Sequence, residues 1–221
     1  MSEVIISVRG THEVRTAPEE AVARLSVRAE GAVRSDVVSR VAALTDPLRA
    51  DLDERVAAGS LVRWASERTT VWAERPWHPE GARLDLVHHA HVDFTATFAD
   101  FDALSRWMTE VVEAEGVQLT GIDWLLTPET RARLEKEAAT AAVGVAVARA
   151  RAYADALGLS TVEPEQIADV GLLAEAGDPS ARRAAPLMAA ASFRDEGGSS
   201  LDVRPEDVVI GAAVEARFHA R

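Results

Sequence analysis

The stretch that decides the fold is Ala21-Val22-Ala23-Arg24-Leu25-Ser26-Val27-Arg28-Ala29-Glu30-Gly31. Every second residue from Ala21 to Ala29 is apolar, and most of the residues between them are charged or polar. This alternation is typical of a β-strand that buries one face. Since Gly31 interrupts the pattern, the sequence predicts a strand that packs on a core and ends near Glu30.

Helix-like and strand-like patterns alternate after this strand. Apolar residues three or four positions apart predict a helix from Ser35 to Gly59, and strands follow over 61–75 and 83–98. A short helix over 100–115 and a strand over 117–126 complete the order strand, helix, strand, strand, helix, strand. This is the order of the ferredoxin-like βαββαβ unit. We therefore predict an α+β fold with a mixed or antiparallel sheet and a ferredoxin-like core.

Further strands and one long helix extend this core on both sides. Residues 4–9 alternate as a strand before a predicted turn region over 10–18, and residues 208–218 alternate as a closing strand. An alanine-rich helix is predicted over 128–157, because a threonine cap and a proline open it and a glycine follows it. Its small side chains permit close packing, either on the sheet or on a neighbouring helix.

The domain organisation is predicted to be a single domain over residues 1–221, since no linker divides the core. Residues 159–173 can hold one more strand. Residues 174–202 are rich in glycine, proline and serine, and they are predicted to form a long, flexible connection.

The composition limits the classes of function. The 221 residues carry 24 Lys and Arg against 36 Asp and Glu, a formal net charge of −12. Nucleic acids and anionic membranes prefer basic surfaces, so we expect neither as a partner. The absence of cysteine excludes disulfides, thiolate metal sites and a catalytic thiol. We also expect no membrane insertion and a cytoplasmic location, because the sequence shows neither a secretory signal nor roughly 18 successive apolar residues.

Several short motifs occur in a fixed order along the chain. They are Val8-Arg9-Gly10, Ala17-Pro18-Glu19-Glu20-Ala21, Val27-Arg28-Ala29-Glu30-Gly31, the helix end Ala154-Asp155-Ala156-Leu157-Gly158, and Arg204-Pro205-Glu206-Asp207 before the last strand. This order resembles the SIMPL-domain family, which includes bacterial YggE-like proteins. His12 and Glu19 depart from the glycine and aspartate that the family usually has there. The resemblance implies the family's fold, a tendency to form homo-oligomers and an association with stress tolerance. It implies no catalytic residues.

The segment 85–93 carries the most titratable side chains. On a strand, Asp85, His89, His91 and Asp93 project from one face, and neighbours on a face lie about 6.5–7 Å apart. His89, His91 and Asp93 are therefore a candidate site for a cation such as zinc or nickel. The alternative is a solvated polar face of the sheet.

Three of the five tryptophans are candidates for contacts with a ligand or a partner. Trp64 and Trp72 are predicted to share one strand face, where they line a ligand cavity, form a subunit contact or pack in the core. Trp77 lies in the predicted hairpin loop over 76–81, where little core exists for an indole to fill. We expect Trp77 to be exposed at an oligomer or partner contact.

No catalytic or cofactor-binding signature occurs in the sequence. The nucleophile elbow, the phosphate-binding loop and the dinucleotide fingerprint are all absent. We therefore expect a protein without enzymatic activity or cofactor that acts as a homo-oligomeric structural or interaction module. The alternative is a small-ligand or metal-binding protein that uses the His89/His91 face or the Trp64/Trp72 face.

Overall fold

Residues 3–80, 82–173 and 204–221 are described by the computed structural model of the chain. They divide into two compact units, each treated by itself. Unit 1 contains residues 3–16, 126–173 and 207–221, and unit 2 contains residues 17–80, 82–125 and 204–206. The single domain over 1–221 stays a prediction. The predicted connection over 174–202 lies outside the described residues.

Ten helices and strands account for most of the described residues. In chain order they are β1 (Val4–Thr16), β2 (Glu20–Gly31), α1 (Arg34–Ala57), β3 (Arg63–Glu74), β4 (Val87–Phe98), α2 (Phe101–Val111), β5 (Val117–Leu125), α3 (Pro128–Ala156), β6 (Val162–Asp169) and β7 (Val208–Ala220). The α+β class is thereby confirmed. The strands form two antiparallel sheets, so β1, β6 and β7 build a sheet of their own instead of extending the predicted one.

Unit 2 contains a four-stranded antiparallel sheet of order β3-β4-β2-β5. Apolar residues at alternate positions of β2 and β4, such as Leu25 and Phe94, are buried with Leu52 of α1 and Trp107 of α2. The predicted order strand, helix, strand, strand, helix, strand is present from β2 to β5. The ferredoxin-like assignment of this unit stays a prediction.

A β-bulge interrupts β3 between Ser66 and Arg68. One extra residue in a strand moves all following side chains to the other face of the sheet. Trp64 therefore lies on the face that carries the helices, whereas Trp72 lies opposite His89 on the helix-free face. The prediction that the two tryptophans share a face is wrong, because the bulge breaks the alternation on which it depended.

Unit 1 contains a three-stranded antiparallel sheet of order β1-β7-β6, which packs against α3. The start of α3 is as predicted, since the Thr127 side chain accepts a hydrogen bond from the backbone N–H of Thr130 and Pro128 is the first helical residue. An alanine at every fourth position forms a buried stripe along the helix: Ala138, Ala142, Ala146, Ala150 and Ala154. The last four of these alanines pack in one core with apolar residues of β1 and β7.

Gly10 marks the closest approach between β1 and α3. A Cβ atom added at Gly10 would lie 2.0 Å from the carbonyl oxygen of Ala142 and 2.7 Å from the backbone nitrogen of Ala146. The turn predicted over 10–18 is therefore wrong for most of its length, since β1 continues through Gly10 to Thr16. The strand needs this glycine because the helix backbone occupies the space of a side chain.

Candidate functional site

The predicted titratable residues lie on the helix-free face of the unit 2 sheet. His89, His91 and Asp93 occupy alternate positions of β4, and the residues between them, Ala90 and Val92, are buried in the core. Sequence periodicity therefore placed the two histidines and the aspartate on the correct face. Their neighbours across the sheet, in β2 and β3, decide what this face can do.

The indole ring of Trp72 contacts the rings of both His89 and His91. It lies opposite His89 in the register of β3 and β4, and the two rings stack with centroids 4.9 Å apart and an interplanar angle of 16°. The ring of His91 meets the same indole edge-on, at 5.4 Å and 75°. Aromatic contacts of these two geometries are favourable. They fix both imidazoles against one indole.

Two carboxylates flank His89 from the neighbouring strands. Nδ1 lies 3.5 Å from Oε2 of Glu30 in β2, and Nε2 lies 3.5 Å from Oε1 of Glu74 in β3. A distance of 3.5 Å is at the outer limit for a hydrogen bond. Nε2 is buried and has no hydrogen-bond partner with suitable geometry among the described protein groups.

The metal hypothesis for His89, His91 and Asp93 receives no support from this arrangement. Nε2 of His91 lies 3.5 Å from Oδ2 of Asp93, a separation that two ligands of one tetrahedral ion also have, so this pair alone does not decide the question. Within the part of the chain that the structure describes, no three His, Cys, Asp or Glu side chains are arranged to hold a metal ion. The metal site stays a prediction.

A cleft of about 490 Å³ opens beside the Trp72–His89 stack, and we call it the Trp72 cleft. Its polar lining comes from Arg28, Glu30, Arg40, Trp72, His89 and Glu115. Nε of Arg28 donates a hydrogen bond to Oγ of Ser26 at 3.1 Å, and no ion pair joins its guanidinium to a described residue. The cleft thus combines an aromatic wall with a cation that lacks an acidic partner within the described ranges.

The other two candidate tryptophans occupy different environments. Trp64 packs beside the unit 2 core, and its Nε1 donates a hydrogen bond of 2.9 Å to Oδ1 of Asp53. Trp77, in the loop after β3, is 83% exposed, as predicted. Whether Trp77 contacts a partner stays a prediction.

A second candidate surface, which the sequence did not predict, lies in unit 1. Ile5 of β1 and Tyr153 and Leu157 at the C-terminal end of α3 are 58%, 51% and 61% exposed. They line one cleft of about 430 Å³. We call these three residues the β1 patch; Tyr153 and Leu157 lie at the end of α3, and Ile5 lies on the sheet face away from that helix. Ile5 occupies a position where strand alternation calls for a polar residue, which is a signal that the sequence did contain.

Comparison with known families agrees with the motifs in the sequence. Residues 6–218 match the SIMPL family, described as a protein of unknown function (DUF541). The chain belongs to the SIMPL family. The match confirms the resemblance over nearly the whole chain and, by its description, assigns this SIMPL chain no activity. No curated protein sequence matches the chain significantly. Within the described residues, no helix has the length and apolar character needed to cross a membrane.

Proposed function

We propose that this SIMPL chain is a non-catalytic structural or interaction module that assembles with copies of itself through unit 1. The observation that carries the proposal is the β1 patch, which lies directly beside the outer edge of a long strand. Large apolar side chains exposed on both faces of one strand edge favour an interaction site there. The stress-related role implied by the family resemblance rests on the resemblance alone.

The outer edge of β1 is well suited to pairing with another strand. All 13 residues of β1 pair with β7 on one side, from Val4 opposite Ala220 to Thr16 opposite Val208. On the other side, no strand within the described ranges pairs with it. A long edge of this kind offers unpaired backbone donors and acceptors to a further strand.

A second copy of the chain can cover both the free edge of β1 and the β1 patch. Antiparallel pairing of β1 with the β1 of another copy satisfies the backbone groups of two edges. A two-fold axis makes such an interface self-complementary, as in most homodimers. The same association removes the β1 patch of each copy from water, which stabilises it by about 25 cal/mol per Å² of apolar surface buried.

Leu157→Lys is expected to break this association. A lysine ammonium in the β1 patch loses its hydration when the interface forms, which opposes assembly. Lysine is favourable at the C-terminal end of a helix, so the fold of the monomer is preserved. Size-exclusion chromatography with light scattering at micromolar concentrations should give more than 23.7 kDa for the natural chain and a monomer for the variant.

Leu172→Lys is the matched control for this experiment. Leu172 lies in the same unit, is 73% exposed and does not line the cleft of the β1 patch. The control should keep the mass of the natural chain. A natural chain that runs as a monomer at these concentrations contradicts the proposal, as does equal loss of mass in both variants.

The second candidate function is binding of a small planar anion in the Trp72 cleft. The Trp72–His89 stack favours it, because Trp72 and His89 line the same cleft as Arg28, whose guanidinium has no ion pair with a described residue. Indole-3-carboxylate, followed by calorimetry, should bind at least tenfold more weakly to Trp72→Leu. Trp77→Leu removes an exposed indole outside the cleft and should leave the affinity unchanged. Binding that is the same in both variants argues against this function.

A further inference from the structure

A separate cleft of about 310 Å³ lies in unit 2 between α1 and α2, and we call it the α1–α2 cleft. Its apolar lining consists of Ala43, Leu44, Pro47, Leu48, Trp107, Val111, Ala114 and Val117. Sites for small organic ligands are mostly apolar and begin at about 300 Å³. The α1–α2 cleft is therefore at the lower end of the range for a small-molecule site.

Small and ring-shaped side chains leave this cleft open. Ala43 and Pro47 of α1 and Ala114, which follows α2, are exposed and line its sides. Trp107 and Leu48 are buried and form deeper parts of the lining. A bound molecule therefore contacts Ala43, Pro47 and Ala114 directly, whereas Trp107 and Leu48 lie beneath this surface.

Two ion-pair systems frame the cleft. Arg55 of α1 bonds to Asp51 on the same helix at 2.9 Å and to Glu110 of α2 at 2.5 Å. Burial lowers the pKa of Arg55, but the hydrogen bonds and charges of Asp51 and Glu110 outweigh it, so this pKa lies above its ordinary value. Arg40 of α1 pairs with Glu115, which follows α2. Both systems connect α1 to residues at or beyond the end of α2.

The charges that line the cleft are all negative. Asp51, Glu110 and Glu115 contribute to its lining, whereas Arg40 and Arg55 do not. Three carboxylates against two arginines leave this neighbourhood with one excess negative charge. Oε1 of Glu110 and Oε2 of Glu115 accept no hydrogen bond from the described residues. These two oxygens are available to an N–H donor at the rim.

We propose that the α1–α2 cleft binds a small organic amine. The apolar body of the amine lies against Leu44, Pro47 and Val111, and its ammonium group donates a hydrogen bond to the free carboxylate oxygen of Glu110. The overall charge of −12 raises the local concentration of such cations. This site lies in unit 2 and does not depend on the self-association proposed for unit 1.

Three probes with a naphthyl group test the charge preference by calorimetry. They are 2-(1-naphthyl)ethylamine, 2-(1-naphthyl)ethanol and 1-naphthylacetate. We expect the amine to bind about tenfold more tightly than the carboxylate, with the alcohol between them, and the preference to fall as salt is added. No heat from the amine at millimolar concentration, or a carboxylate that binds equally well, overturns the proposal.

Two kinds of variant locate the site. Ala114→Phe fills the cleft and should weaken amine binding at least tenfold, and Ala43→Phe does the same from α1 if the first variant folds poorly by circular dichroism. Glu110→Gln should weaken the amine two- to fivefold, as expected for an exposed charge pair, without changing the affinity for the alcohol. Glu113→Gln removes an equal charge from an exposed residue outside the lining. Equal effects of Glu110→Gln and Glu113→Gln would show a general charge effect and refute the site.

Discussion

Gly10→Ala is expected to lower the free energy of unfolding of unit 1 by at least about 3 kcal/mol, at the upper end of the cost of overpacking a core. The new methyl group would lie 2.0 Å from the carbonyl oxygen of Ala142 and 2.7 Å from the nitrogen of Ala146. Both are backbone atoms inside α3, so no side-chain rotation relieves the overlap. The strand and the helix must separate, and the alanine stripe of α3 then loses its packing on β1.

Gly211→Ala is the matched control in the same sheet. A Cβ at Gly211 of β7 meets Cγ of Glu13 at 3.5 Å, which is an ordinary van der Waals contact. Gly211→Ala should change the free energy of unfolding by no more than about 1 kcal/mol. Urea unfolding should be followed by far-ultraviolet circular dichroism, because all five tryptophans lie in unit 2 and report only on that unit: Trp64, Trp72, Trp77, Trp107 and Trp124. If the two glycine variants have equal stability, the close approach of α3 is not what requires Gly10.

Gly10 also illustrates what the sequence could and could not predict about the fold. Local signals located α3 well, since Thr127, Pro128 and Gly158 mark its two ends. At Gly10 the same local reasoning indicated a turn. Nothing in the residues around Gly10 shows that a helix more than a hundred positions later occupies the space of its missing side chain. The glycine is explained by tertiary packing, which strand periodicity does not contain.

The bulge in β3 had the same consequence for the candidate site. Alternation along β4 correctly placed His89 and His91 together, because β4 pairs with both neighbours over these positions without a shift. The same alternation along β3 predicts Trp72 on the side of Trp64, because the extra residue between Ser66 and Arg68 leaves no mark in the pattern of apolar residues. The stack of Trp72 on His89 therefore depends on the register between β3 and β4, which the sequence pattern does not give.

Trp107→Ala is expected to cost unit 2 about 3–5 kcal/mol of stability, the usual range for removing a large buried aromatic side chain. Trp107 is fully buried, and its ring centroid lies 5.1 Å from that of Phe98. Its Nε1 also donates a hydrogen bond of 3.0 Å to Oδ2 of Asp51. Alanine leaves a cavity between α2 and the sheet and removes one of the donors to that carboxylate.

Trp107→Phe separates the two contributions. Phenylalanine keeps most of the apolar volume but loses the indole donor and a few buried ring atoms. It should cost about 1–2 kcal/mol, because Asp51 keeps its bonds to Arg55. Trp77→Ala removes the same atoms from an exposed position and should change stability by less than about 0.5 kcal/mol. Urea unfolding followed by circular dichroism ranks the three variants. A Trp107→Ala variant as stable as Trp77→Ala would mean that Trp107 does not pack in the core of unit 2.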